Sequence, residues 1–93
     1  MTKELEFKIQ RIHRLLGNER IKAFVDLNIS DVLVIKGLKV VQSKQVLFVS
    51  MPQEQGKDKR WYESIRCLSQ DVRFELNKKI LDAYNEDALV DSN

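Results

Sequence analysis

Two dense β-type runs constrain this 93-residue chain more than any other feature: Val32–Val41 and Val46–Met51, separated by Ser43-Lys44-Gln45 and closed by Pro52. Runs this rich in Val, Ile, Leu and Phe, joined by so short a polar turn, read as an antiparallel hairpin. Proline has no N–H to give to a ladder, so Pro52 is expected to end the second strand. The first run is apolar at both parities and is interrupted by Lys36-Gly37. It is either a central strand covered on both sides or a strand bent at Gly37.

The flanking segments extend the sheet. Over Arg20–Ser30, residues Ala23, Val25, Leu27 and Ile29 alternate with Lys22, Asp26, Asn28 and Ser30, leaving Phe24 as the exception. Leu5–Leu15 reads as an earlier strand whose parity changes, with Phe7 and Ile9 on one side and Ile12 on the other. A bulge near Gln10–Arg11 would reconcile them. Gly17-Asn18 marks the turn between the two. After Pro52 the polar stretch Gln53–Arg60 reads as a loop, and Trp61–Leu68 as a short last strand. Ser69 is a good N-cap, and Asp71 suits the positive end of a helix dipole. Val72, Leu76, Ile80 and Tyr84 then recur every four residues, the stripe of an amphipathic helix of about four turns. Such a helix must bury its stripe against the sheet. The reading is therefore α+β: an antiparallel sheet of about five strands followed by a C-terminal helix packed on it. Residues 1–85 form one domain, and 86–93 are an acidic tail expected to fray.

Length and charge bound the function. A single domain of this size buries only about 60–70% of its unfolded surface, so dimerisation would help it. Sixteen Lys and Arg stand against fourteen Asp and Glu, a net charge of +2, which is too balanced to indicate a polyanionic partner by itself. The distribution is uneven: residues 1–50 carry nine basic and five acidic groups, residues 51–93 seven and nine. Without its acidic tail the body carries +5, enough for a polyanion or simply for a well-solvated surface. Cys67 is the single cysteine, which suits a reducing compartment. No apolar run approaches the length of a membrane span or a signal peptide. A cytoplasmic location and no membrane partner are expected.

Catalytic chemistry finds no foothold. His13 is the sole histidine and sits between Ile12 and Arg14 in a strand, so a triad has one candidate base in an unpromising place. One His and one Cys do not make the four-ligand set a structural zinc needs. The three glycines are isolated and build no phosphate-cradling loop. Cys67 beside Arg66 is either an activated thiol or a small core residue. No enzyme activity, cofactor, metal or small-molecule substrate is expected.

Three sets of basic residues remain. Lys57, Lys59 and Arg60 precede Trp61-Tyr62, so cations and aromatics together could take phosphates and stack on bases. The other reading is a solvated hairpin whose Trp61 turns inward to close the core. Lys8, Arg11, Arg14, Arg20 and Lys22 lie along the first two strands, where pairing would bring Arg14 close to Arg20. Arg73, Lys78 and Lys79 lie on the helix, but Arg73 and Lys78 are roughly 140° apart and form no single stripe.

One segment carries a family resemblance. Leu47-Phe48-Val49-Ser50-Met51-Pro52 matches the LFVxMP run of the SpoVG (stage V sporulation protein G) family, and Leu38-Lys39-Val40-Val41 stands where that family has its preceding strand. Arg20-Ile21-Lys22-Ala23 is similar to the family's basic-x-basic-Ala opening of strand two, and His13-Arg14 falls where two basic residues are common. Arg73, Leu76, Ile80, Leu81 and Tyr84 resemble its helix, so the likeness spans about residues 7–84. The chain departs from the pattern at Val46, where the family has Gly. It departs again at Gln53-Glu54-Gln55, where Ser and basic residues are usual, at Arg66-Cys67 for His-Pro, and at Phe74 for Gly. Positive charge lost in the loop is partly regained at Lys57, Lys59 and Arg60.

The resemblance implies a strand-mediated homodimer and a bacterial regulator linked to septation and sporulation that binds DNA, RNA or both. Arg73, Lys78 and Arg66 around the helix, Lys57, Lys59 and Arg60 in the loop, and Arg14 and Arg20 on the strands are then the candidate nucleic-acid contacts. The alternative is a protein–protein interaction module in division or gene regulation, with a protein partner and no direct contact to nucleic acid. An exposed sheet edge would be its natural docking mode.

Overall fold

The computed structural model describes residues 5–17 and 20–91, with side chains in the helix described as far as Glu86. Four strands, β1 (Phe7–Arg14), β2 (Ile21–Ile29), β3 (Leu33–Ser43) and β4 (Val46–Ser50), form one antiparallel sheet in the order β1-β2-β3-β4. Two short strands, β5 (Gln53–Gln55) and β6 (Trp61–Glu63), form a separate ladder, and a 22-residue helix, α1 (Gln70–Asp91), follows.

Three register shifts decide which side chains face the core. In β1, Ile9 pairs with Leu27 but Arg11 pairs with Asp26, so Gln10 is the extra residue of a bulge. Gln10 Oε1 accepts a hydrogen bond from Asn28 Nδ2 at 3.0 Å. The bulge returns Ile12 to the face already taken by Phe7 and Ile9, as the change of parity requires. In β3, Ile35 pairs with Leu27 and Leu38 with Val25, so Lys36 and Gly37 together oppose Asp26. Gly37 has φ +89°, a conformation that a side chain disfavours, and this explains why glycine interrupts an otherwise apolar run. Of the two readings of that run, the bent strand is the one adopted: Leu33 and Val34, at its start, are exposed rather than covered. In β2, Lys22 is the third extra residue: Ile21 pairs with Val41 and Ala23 with Val40.

The connections follow local chemistry. Ser30 and Asp31 both have positive φ, 52° and 58°, which is unfavourable for non-glycine residues. Side-chain bonds offset the cost: Asp31 N donates to Asn28 Oδ1 at 2.8 Å, and Glu6 N donates to Ser30 Oγ at 3.1 Å. Lys44, φ 56°, turns the β3–β4 hairpin between Ser43 and Val46. The turn expected at Gly17-Asn18 has its second residue outside the described residues.

Ser69 caps α1 as expected, accepting from Val72 N at its side chain and from Arg73 N at its carbonyl. The helix runs to Asp91, about six turns rather than four. It packs against β1 and β4, the two edges of the sheet, and so bridges the whole of one face. Leu76 and Ile80 reach Ala23, Val25, Leu27, Ile29, Leu38, Val40, Val49 and Met51 in a single core, with Val72, Leu81 and Tyr84 half-buried around it.

Two expectations for the segment after Pro52 need correction. Gln53–Arg60 is not all loop: Gln53–Gln55 pairs with Trp61–Glu63, leaving only 56–60 to turn. Pro52 ends the large sheet, but its carbonyl accepts from Ser64 N at 2.8 Å, so the backbone resumes pairing in a second ladder. The last strand is correspondingly short, three residues instead of the eight from Trp61 to Leu68.

Candidate nucleic-acid interface

The β5–β6 hairpin is held by backbone and side chain together. Gly56 N donates to the Arg60 carbonyl at 2.8 Å and Lys59 N to the Gly56 carbonyl at 3.0 Å, closing the turn. Asp58 organises its tip: Oδ1 accepts from Arg60 N at 3.1 Å and Oδ2 from the Tyr62 hydroxyl at 2.5 Å. The Tyr62 hydroxyl, with the Arg60 N–H second, holds the Asp58 carboxyl below its ordinary pKa, and the same bond raises that of Tyr62. Gly56 makes this fit possible, since a Cβ there would lie 2.9 Å from Tyr62 Cε2 and 2.9 Å from Asp58 Oδ1.

Tyr62 is therefore committed to the loop, and Trp61 is not. Successive residues of a strand point to opposite faces, so Trp61 projects from the face opposite Tyr62, and it is 62% exposed. The inward-turned tryptophan does not occur. Lys57, Lys59 and Arg60 are all exposed and make no ion pair among the described residues. Three exposed cations, in no ion pair among the described residues, and an open indole thus share one short hairpin.

The other candidate residues are placed differently. Arg66 is exposed, at the rim of an apolar groove of about 360 Å³ lined by Phe7, Met51, Cys67, Leu68 and Leu76. Cys67 is half-buried there against the core. Arg73 is turned onto the sheet, and Lys78 pairs with Asp82 one helical turn on at 2.9 Å, an exposed pair. Arg14, on the core face of β1, lays its guanidinium over the Tyr84 ring, 4.4 Å from the centroid, and donates to the Tyr84 carbonyl. Arg20 stays exposed at the start of β2. So the hairpin brings Lys57, Lys59 and Arg60 together, while Arg14 and Arg73 are engaged in holding the helix. Among the described residues no three His, Cys, Asp or Glu side chains gather, and no helix is long and apolar enough to cross a membrane.

One surface went unread in the sequence. The helix covers one face of the sheet; the register puts Phe24, Lys39, Val41 and Phe48 on the other. Phe24 and Phe48 are 36% and 40% exposed, and Val46 at the end of edge strand β4 is 63% exposed. The signal was present: Phe24 is the one large apolar residue out of phase in β2.

The fold and this hairpin can be set beside known proteins. The family model described as SpoVG matches residues 3–86. A protein of Archaeoglobus fulgidus named "Putative septation protein SpoVG" is 34% identical over 76 residues, 82% of this chain and 89% of that one. Proteins of the same name from Symbiobacterium thermophilum and Fusobacterium nucleatum are 33% and 30% identical, over 81% and 71% of this chain. The matched stretch is 54% of the Symbiobacterium protein and 71% of the Fusobacterium one. The match takes in the whole of the four-stranded sheet, the β5–β6 hairpin and the buried stripe of α1, and the chain belongs to the SpoVG family.

Proposed function

We propose that this protein is a non-enzymatic, cytoplasmic regulator that binds DNA or RNA as a homodimer, with a part in septation as its relatives' name suggests and in the sporulation programme for which the family is called. The observation that carries the reading is the β5–β6 hairpin, where Lys57, Lys59 and Arg60 stand exposed, with no ion pair among the described residues, beside an open Trp61. Cations released from internal pairing are free to replace counterions on phosphates, and the aromatic adds a stacking surface. Arg66 and Arg20 add exposed charge elsewhere on the protomer. In a two-fold dimer each patch occurs twice, so a contact weak in one protomer gains by bivalency.

Fluorescence anisotropy with random single-stranded RNA and with duplex DNA, at about 50 and 200 mM salt, tests this. Saturable binding that weakens with salt is expected, and Lys57→Ala, Lys59→Ala and Arg60→Ala together should flatten the salt dependence. A folded dimer that binds neither probe at low salt overturns the reading.

The open sheet face supports a second reading, a protein contact. Phe24, Phe48 and Val46, on and beside the exposed β4 edge, form an apolar surface suited to a second copy of the chain or to another protein. Light scattering at micromolar concentration should give a dimer, and Phe48→Glu should dissociate it. A wild-type monomer removes the homodimer from the proposal, and the face is then left to a protein partner.

A further inference from the structure

Over Gln53–Glu63 the charges balance: Lys57, Lys59 and Arg60 against Glu54, Asp58 and Glu63. Balanced charge is a poor basis for gripping a duplex, whose binding rests on many phosphate contacts. At most three phosphates can be met here, giving a logarithmic salt slope of about 2 on a single strand. Any useful affinity at this hairpin must come largely from the indole. The structure separates the two neighbouring aromatics for that purpose. Tyr62 is pinned by Asp58 and packed over Gly56, whereas Trp61 offers its ring on the other face with 62% of its surface open.

A stacked base must be unpaired and splayed from its neighbours, which a duplex does not offer without melting. We infer that the hairpin selects single-stranded over double-stranded nucleic acid, by stacking a base on Trp61 while Lys57, Lys59 and Arg60 hold the adjoining phosphates. This rests on the nucleic-acid reading above and narrows it to a strand state and a residue. Stacking engages the π-face common to every base, so little sequence preference is expected at this position.

The chain contains one tryptophan, so its emission reports on Trp61 alone. The intact protein is titrated with oligo-dT, oligo-U and a blunt DNA duplex of equal length, following emission and, with labelled probes, anisotropy. Saturable quenching by a single strand and none by the duplex is expected. The dT and U arms show whether the strand taken is DNA, RNA or both. Trp61→Ala should weaken single-strand binding about five- to hundredfold, the range lost with one stacked base, and leave duplex binding unchanged. Trp61→Phe should retain most of the affinity, and far-UV circular dichroism of both variants checks the fold. If anisotropy shows salt-sensitive binding while emission and the Trp61→Ala affinities stay unchanged, the stacking inference fails and the general reading stands. A change in emission that follows protein concentration without nucleic acid places Trp61 between copies of the chain and overturns the inference. No anisotropy change with any probe removes both.

Discussion

Arg73 Nη2 donates a hydrogen bond to the Val49 carbonyl at 2.9 Å while its Nε donates to Asn77 Oδ1 at 3.1 Å. One side chain thus ties the first turns of α1 to the edge strand β4. A hydrogen bond from a charged donor contributes about 1.5–3 kcal/mol, and half-burial of Arg73 shields this one in part from water. Arg73→Ala should therefore lower the urea midpoint by an amount worth about 1–3 kcal/mol, with the slope of the transition unchanged. Arg73→Lys should recover little, because an ammonium cannot span two acceptors as a planar guanidinium does. An unchanged midpoint in both variants would remove the tether from the account of stability.

Leu76 and Ile80 are 1% and 0% exposed and supply the fully buried part of the helix stripe. Truncating a buried Leu or Ile to Ala costs about 2–5 kcal/mol, depending on how far the cavity collapses. Domains as a class have only about 5–15 kcal/mol in total. Leu76→Ala and Ile80→Ala should each remove a large share of the stability, seen as a thermal midpoint lowered by well over 5 °C. Phe74, larger but 68% exposed on the same helix, serves as the control, and Phe74→Ala should stay within about 0.5 kcal/mol of wild type.

Gly37→Ala tests the bulge in β3. An added Cβ would find its nearest neighbour, Pro52 Cβ, at 4.0 Å, so there is room for it. The cost is in the backbone: φ +89° is a conformation that L side chains disfavour by about 1–2 kcal/mol. A loss of that size in chemical denaturation is expected. No loss, or a gain from reduced unfolded-state entropy, would mean that the bulge can relax to negative φ.

Much of this architecture was legible in the residues because period and parity speak directly to burial. The alternation Ala23, Val25, Leu27, Ile29 is the buried face of β2, and the parity conflict between Ile9 and Ile12 located the Gln10 bulge. Ser69 was recognisable as a cap because its side chain answers a need that every helix start has. The second ladder was not legible. Gln53-Glu54-Gln55 has neither apolar residues nor β-branched ones, and its pairing is decided by the turn that Gly56, Asp58 and Lys59 build, not by burial. The basic residues were the least legible part of the site. Composition treats Arg14, Arg73 and Lys57 alike; only the fold reveals that the first two are bonded to the helix–sheet seam and the third is open. Trp61 and Tyr62 are adjacent and chemically similar, and the hydrogen bond that separates their roles runs to a residue four positions from Tyr62.

That bond between Asp58 and Tyr62 gives the hairpin a pH window. The Asp58 carboxyl is held below its ordinary value of 3.8, first by the Tyr62 hydroxyl and then by the Arg60 N–H. Its contribution to tip order is therefore present above 3.8 and is lost as pH falls through the lower, folded value. The Tyr62 hydroxyl is raised above 10.0 by its bond to the Asp58 carboxylate. Its contribution is complete below 10.0 and is lost as pH rises through the folded value. The tip should hold together across the neutral range and release at both extremes. Both groups are at the surface, so the change should appear locally and leave the global thermal midpoint near neutrality where it was. The measurement is the pH dependence of the Tyr62 hydroxyl-bearing ring carbon by NMR, in wild type and in Asp58→Asn. Asparagine keeps an acceptor but removes the negative charge, so the Tyr62 midpoint should fall back toward 10.0. If the two proteins titrate together, Asp58 does not hold Tyr62, and the division of labour between Tyr62 and the open Trp61 loses its physical basis.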